Sequence, residues 1–295
     1  MRILLTGTSG QVGSALKSHL RAYDVVAADR SVLNLEDGDE IAPFIEQVRP
    51  QIVINCAAYT AVDKAEIEPA LATQINATAP GLIAAASRSV GAALIHFSTD
   101  YVFDGEKRKP YLEGDACSPI NVYGHTKQLG EQAIAAAGGN FLIVRTSWLY
   151  SASGNNFLRT MLRLGNEKTE IDVVNDQTGA PTSVLALARS LAAIIAQMKE
   201  GPSEYLGKHS NLLNIACAGQ TSWHGFASAI FDEVQRRGGR LSVKSVRPVT
   251  TAQFPRPARR PVYSVLDLTR MQQEFKIEPT AWRDALREVV DNLSL

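Results

Sequence analysis

Three cysteines in 295 residues, Cys56, Cys117 and Cys217, are too few and too far apart for a disulfide framework, and no CxxC pair prepares a zinc site. The five histidines are equally scattered, with no HxH or HExxH spacing, so no catalytic metal is expected. Charge of one sign is missing too. Lys+Arg and Asp+Glu both number 30, and a net charge of zero sets up no global field for nucleic acid or an anionic membrane. No apolar run approaches membrane length, and the opening MRILLTGTSG lacks the long apolar core of a signal peptide. The expected compartment is the cytoplasm, with neither nucleic acid nor membrane as partner.

What is present is an ordinary globular composition, 45% hydrophobic and 20% charged, in a chain long enough for one large core or two coupled ones. Strand-like and helix-like runs alternate from the first residue. RILLT (2–6), DVVAA (24–28), QIVINC (51–56), AALIHFS (92–98) and FLIVRTS (141–147) read as strands. Helical patterns fall at 11–21, 39–48, about 69–90 and from Tyr123 onward. Continuous apolar, β-branched runs of this kind suit strands buried on both faces, hence a parallel sheet with helices either side. The expected fold is α/β, a doubly wound parallel Rossmann-type sheet. After about residue 150 the rhythm loosens, through the turn-rich NDQTGAPT (175–182) and the Pro- and Arg-rich VTTAQFPRPARRPVYS (249–264). Helical runs at 183–199, 223–237 and 279–292, with short strands such as LLNIA (212–216), suggest a smaller C-terminal α/β unit. The expected division is a dinucleotide-binding domain at 1–174 and a substrate domain at 175–295, the chain being free to cross back between them.

LLTGTSGQVGSAL places glycines at 7, 10 and 13 between the first strand and the first helix. Gly7 permits the tight turn, Gly10 lets backbone N–H groups approach a pyrophosphate at the positive helix end, and Gly13 permits close helix–strand packing. The second strand ends in Asp29, 22 residues after Gly7, a group suited to the ribose hydroxyls of NAD. Arg30 beside it suits the 2′-phosphate of NADP. Both cofactors, NADPH or NADH, are therefore expected.

NVYGHTKQLGEQ (121–132) sets Tyr123 and Lys127 four residues apart, on one helix face. A lysine there is expected to stabilise the phenolate and bring the phenol down from its ordinary pKa of about 10. Tyr123 would then protonate a carbonyl oxygen as hydride reaches its carbon, with Thr99 bonded to the same oxygen. Thr99 and Asp100 sit in FSTDYVFDG (97–105), directly after the fourth strand.

TGTSGQVG, STDYVF, YGHTK, RTSWLY, NDQTGAPT and PARRP, in that order, resemble the extended short-chain dehydrogenase/reductases. More narrowly, they resemble the dTDP-4-dehydrorhamnose reductase family, over nearly the full chain. The resemblance implies NAD(P)H-dependent reduction of the 4-keto group of dTDP-6-deoxy-L-lyxo-4-hexulose, a dTDP-sugar substrate, in the synthesis of dTDP-L-rhamnose for cell-surface polysaccharide. It implies Tyr123 as general acid, with Lys127 and Thr99 as catalytic partners. Thr99, Asp100 and Trp148 are implied for the sugar. For the cofactor it implies Gly7, Gly10, Gln11, Val12, Gly13, Asp29, Arg30, Asn34, Leu35, Ala57, Ala58, Tyr59, Thr60 and Phe97, together with Tyr123 and Lys127.

Two departures stand out. Asn34-Leu35 replaces an acid–aromatic pair at the adenine end, where the Asn34 amide can still hydrogen-bond. Ala15, Leu185 and Asn292 stand where some relatives have glutamates that bind Mg²⁺ at a dimer interface, and Mg²⁺ needs hard carboxylate oxygens. The expected state is a monomer or a metal-independent homodimer.

Glu113 and Asp115 in YLEGDA read as a solvated turn. Arg256, Arg259 and Arg260 suit either a substrate diphosphate or a surface loop, and Trp223 either a stacking or a helix-start role. His125 points off the shared Tyr123–Lys127 face. A 4,6-dehydratase is disfavoured because Tyr101 follows Thr99-Asp100 where a glutamate is needed. A sugar-nucleotide 4-epimerase, or a non-catalytic regulatory subunit of the methionine adenosyltransferase type, remains as the alternative.

Overall fold

The computed structural model describes residues 1–198 and 201–293. Its centre is a six-stranded parallel sheet. Five strands fall where the apolar runs predict them: β1 (Arg2–Thr6), β2 (Asp24–Ala28), β3 (Ile52–Asn55), β4 (Ala93–Thr99) and β5 (Phe141–Thr146). The order across the sheet is Leu212–Asn214, β5, β4, β3, β1, β2. The chain leaves β1 for one edge at β2, then returns to the other side at β3, which opens a crevice at the strands' C-terminal ends.

Alternation along each strand divides the core in two. Ile3, Leu5, Ile52, Ile54 and Ile95 face Leu16 of helix α1 (Gln11–His19) and Leu187, Leu191 and Ile194 of the Val184–Gln197 helix. Leu4, Val53 and Leu94 face Ile41 and Ile45 of the Ile41–Val48 helix and Ile83 of Ala79–Ser89. The expected helix over 69–90 is broken. A π-helical turn at Gln74–Thr78 separates Pro69–Thr73 from Ala79–Ser89. That turn aims the fully buried Asn76 at the 57–60 loop, where it accepts from Tyr59 N at 2.8 Å and donates to Tyr59 O at 3.0 Å. Local irregularity of this type commonly marks a functional region.

LLNIA (212–216) was expected in the C-terminal unit, yet it pairs in parallel with β5 and completes the main sheet. The Val184–Gln197 helix also belongs to the first core. The packing therefore does not divide at residues 174/175: the chain crosses back. The reason is that β5 would otherwise leave an apolar edge unpaired. The end of the expected 183–199 helix, Lys199, lies outside the described residues. A second core gathers Tyr150, Leu158, Phe226, Ile230, Trp282 and Leu286 beneath a parallel strand pair, Glu170–Val174 with Ser245–Val249. Trp223, packed against this second core, lines the crevice.

Candidate active site

The phosphate-type loop is shaped by what a side chain would strike. Gly7 holds a left-handed φ of 67°, and a Cβ there would lie 2.6 Å from Ala57 N. A Cβ on Gly13 would lie 2.3 Å from Gly7 O, so this glycine brings α1 against β1. Gly10 caps α1 without a side-chain hydrogen bond, leaving first-turn N–H groups directed at the crevice. Uncapped donors at the positive end of a helix, with Gly7 and Gly10 in the crevice wall, fit a dinucleotide pyrophosphate. Gln11 Oε1 accepts from Ser151 Oγ at 2.6 Å and Asn156 Nδ2 at 2.9 Å, tying the 151–156 loop across the same helix end.

The Tyr–Lys helix spans Val122–Ala137. Asn121 caps it, Oδ1 accepting from Gly124 N at 2.7 Å, while Asn121 Nδ2 donates to Arg259 O at 2.8 Å. The cap ties the helix start to the Pro- and Arg-rich loop. Gly124 lets the first turn touch the end of β4: a Cβ there would lie 2.0 Å from Tyr101 O. Tyr123 and Thr99 are thereby brought together. Burial pushes the Tyr123 phenol up to about 12, opposed by the Thr99 hydroxyl and aided by the Asp100 carboxyl. This corrects the expectation that Lys127 brings the phenol down. The phenol's hydroxyl end is enclosed although its ring keeps contact with the cleft, and enclosure disfavours phenolate. A phenol that stays protonated is a proton donor throughout the neutral range.

Lys127 is 2% exposed, and Nζ donates to Phe97 O at 2.6 Å. Burial pulls its pKa down to about 8, opposed by Glu131. Asp100 is also buried. Thr99 Oγ1 donates to its Oδ1 at 3.0 Å, while Oδ2 has no partner. Burial pushes that carboxyl up to about 7, opposed by the nearby Ser264 and Thr99 hydroxyls. An orphaned oxygen beside Tyr123 suits a sugar hydroxyl.

These side chains line one cleft of about 560 Å³. Of the expected residues it gathers Gly7, Gly10, Gln11, Val12, Arg30, Asn34, Leu35, Ala57, Ala58, Thr60, Phe97, Thr99, Asp100, Tyr123, Lys127 and Trp148. Gly13, Asp29 and Tyr59 lie outside its wall. Gly13 is consumed by packing. The Asp29 carboxylate, held below its usual range by Ser31, accepts from Ser31 Oγ at 2.6 Å and Ser31 N at 2.9 Å. The Tyr59 hydroxyl turns to Glu68. Arg30 reaches the wall and pairs with Glu36 at 2.6 Å.

Trp148 takes a left-handed φ of 46°, which strains a bulky residue. Its ring stacks on Trp223 at 3.5 Å, and Gly179 makes the room, since a Cβ there would lie 2.4 Å from the indole. Ser9, Tyr101, Ser147 and Asn156 also line the cleft and escaped the sequence reading. Ser9, Tyr101 and Ser147 carried a signal, standing next to motif residues; Asn156 carried none. Arg260 is committed to Asp63 at 2.5 Å, Arg256 lies over Phe254, and none of Arg256, Arg259 and Arg260 lines the cleft. Glu113 corrects the solvated-turn expectation: it is 4% exposed and accepts from Asn214 N at 3.0 Å. Asp115 pairs with Lys107. His125 is exposed, off the Tyr123–Lys127 face.

A glycine-rich loop at a parallel sheet's switch point, facing a tyrosine–lysine helix across the cleft, is the architecture of the extended short-chain dehydrogenase/reductases. Within that class the family described as RmlD substrate binding domain matches residues 1–295, and the chain belongs to this family. The dTDP-4-dehydrorhamnose reductase of Burkholderia thailandensis is 43% identical over 297 residues, covering 99% of each chain. A crystal structure of a dTDP-4-dehydrorhamnose reductase from Clostridium acetobutylicum is 40% identical, covers 100% of both chains and superposes with a TM-score of 0.90. Another from Bacillus anthracis, in complex with NADP, is 37% identical over 98% of each chain, with a TM-score of 0.88.

Proposed function

We propose that this chain is an NAD(P)H-dependent reductase acting on the 4-keto group of dTDP-4-dehydro-L-rhamnose to give dTDP-L-rhamnose. The observation that carries the reading is the meeting of Tyr123, Thr99, Asp100 and Lys127 in the cleft that the phosphate-type loop opens into. NADPH or NADH supplies the hydride. The uncapped start of α1 holds the pyrophosphate, and Lys127 holds the nicotinamide ribose. Thr99 and Tyr123 bind the carbonyl oxygen, and Tyr123 gives it a proton. Asp100 and the Trp148–Trp223 stack hold the sugar. The six-stranded unit takes the cofactor and the second core takes the dTDP-sugar. Arg30 at the wall supports NADPH; Asp29 is occupied by Ser31, and the Glu36 carboxylate that pairs with Arg30 gives way to the 2′-phosphate. The proposed setting is the cytoplasm; among the described residues, no helix is long and apolar enough to cross a membrane.

Tyr123→Phe tests this reading. With the 4-keto sugar nucleotide made in situ, NADPH oxidation is expected to fall roughly 10²–10⁴-fold, the contribution of a general acid, while NADPH affinity stays nearly intact. Activity within a few-fold of the wild type would remove Tyr123 from the mechanism. Arg30→Ala is expected to lower NADPH use more than NADH use, as read by kcat/KM for each. Equal losses would place Arg30 away from the 2′-position.

A further inference from the structure

Behind Lys127 lies a row of buried polar side chains that the proposed chemistry does not use. Thr6, Asn55 and His96 are direct neighbours across β1, β3 and β4, Thr6 opposite Asn55 and Asn55 opposite His96. They follow Leu4, Val53 and Leu94 on the same sheet face, so each strand exchanges an apolar for a polar side chain at the same level. All three are at most 2% exposed. Thr6 Oγ1 donates to Asn55 Oδ1 at 2.7 Å, and Ala57 N donates to the same oxygen at 3.2 Å. Asn55 Nδ2 lies 3.1 Å from His96 Nδ1, and His96 Nε2 lies 3.2 Å from Lys127 Nζ.

Counting protons along this row leaves one arrangement in which every group is paired. The backbone N–H of Ala57 cannot change its role, so it fixes Asn55 with Oδ1 towards itself and Nδ2 towards His96. Nδ2 is a donor, so His96 Nδ1 must accept. A neutral imidazole that accepts at Nδ1 carries its proton on Nε2. Nε2–H then needs an acceptor, and the atom in front of it is Lys127 Nζ. An ammonium has no lone pair; an amine has one, and still donates to Phe97 O. We propose that His96 is a positioning residue which, held by Asn55, donates from Nε2 to Lys127 and holds it as the uncharged amine in the resting site.

This deepens the reductase reading and rests on it for its catalytic meaning. A charged Lys127 would require the row to reverse, with His96 protonated at Nδ1 and the Asn55 amide turned, and Ala57 N–H would lose its acceptor. Burial, opposed by Glu131, brings Lys127 to about 8, where both forms are accessible near neutral pH, and the row decides between them. Burial, the largest cause, holds His96 well below the usual histidine range, so the imidazole stays neutral. The other titratable groups around this spot are Tyr123 and Glu131 on the helix, Asp100 and Tyr101 after β4, and Cys56 after β3. Glu131 is bonded to Arg145 at 2.6 Å, which limits its pull on a lysine proton. An uncharged Lys127 accords with a Tyr123 phenol that nothing on the helix draws down.

The test needs no turnover, so its outcome is separate from that of the reductase assay. Long-range proton–nitrogen correlation on protein labelled with ¹⁵N-histidine reads the tautomer, with His96→Gln assigning the signal. The expected result at neutral pH is a neutral ring protonated at Nε2; an Nδ1–H ring or an imidazolium overturns the proposal. A Lys Cε titration, assigned with Lys127→Met, reads the second consequence. His96→Leu removes the donor that pairs with the amine, so the Lys127 pKa is expected to rise by about one pH unit, an ordinary size for an environmental shift. His96→Gln, whose amide can accept from Asn55 and donate to Lys127, is expected to restore it. An unchanged Lys127 titration in a folded His96→Leu protein would reduce His96 to packing.

Discussion

Asp100 shows how one side chain can hold a site's chemistry at the expense of the fold. Its carboxyl ionises near pH 7 in the folded protein against 3.8 ordinarily, because burial removes water that the Thr99 hydroxyl bond does not replace. Below about pH 4 the group is protonated folded or unfolded, and it costs nothing. As the pH rises from there to 7, the unfolded chain releases a proton that the folded chain keeps, so stability falls. Above 7 the whole cost is present, on the order of 4 kcal/mol. Asp100→Asn removes that ionisation and keeps an acceptor for Thr99. The expected outcome is a urea midpoint raised well above wild type at pH 8 and much less at pH 5, with reduction impaired. Equal gains at the two pH values would mean that the carboxyl is not the source. The residue type and place of Asp100 were legible in STDYVF. Its burial was not, since Ser264, whose hydroxyl lies close enough to act on it, comes from more than 160 positions further along.

The Val122–Ala137 helix is where sequence spacing and three-dimensional placement part. A period of 3.6 puts Tyr123 and Lys127 on one face, and any reader of the sequence can see that. Where this face points is decided by Asn121, Gly124 and Gly130. Gly124 meets Tyr101 O and Gly130 meets Asn76 O, with a Cβ at 2.0 and 2.1 Å respectively. Contacts of that kind leave no trace in local pattern, since a glycine within a helix looks merely unfavourable. Gly124→Ala is expected to destabilise the protein by about 1–3 kcal/mol, as overpacking against backbone does. It is also expected to cost kcat on the order of 10²-fold, because a displacement of about 1 Å suffices to misplace a reacting group. Gly114→Ala, with nothing within 4 Å of the added methyl, serves as the control. If Gly124→Ala retained wild-type kcat, the close approach at Tyr101 would not be what places Tyr123.

At the scale of the whole molecule, the alternation of strand and helix through residue 147 made the doubly wound sheet legible, because buried parallel strands are nearly uniformly apolar. The return of the chain at Leu212–Asn214 was not legible: three residues carry too little pattern to declare a sheet. The same folding back places Ala15, Leu185 and Asn292, and with them the question of a metal. Ala15 and Leu185 are apolar and pack against the first and second cores. Asn292 Nδ2 donates to Glu288 O at 2.8 Å, and the Glu288 carboxylate is held by Arg189 in a two-bond pair, with Nη2 to Oε2 at 2.8 Å. Mg²⁺ requires near-octahedral oxygen coordination and gives up its waters reluctantly, so a protein-held ion generally takes at least one carboxylate. The Glu288 carboxylate is thus already committed to a guanidinium, and that of Asp291 is paired with Arg236 at 2.5 Å. In the proposed mechanism Tyr123 and Thr99 serve the carbonyl oxygen without an ion. Activity and sedimentation are therefore expected to be the same with EDTA as with added Mg²⁺. A species that dissociates on chelation and reassembles with Mg²⁺ would mean that Glu288 leaves Arg189 to bind the ion, and Arg189→Ala would then strengthen the Mg²⁺ dependence.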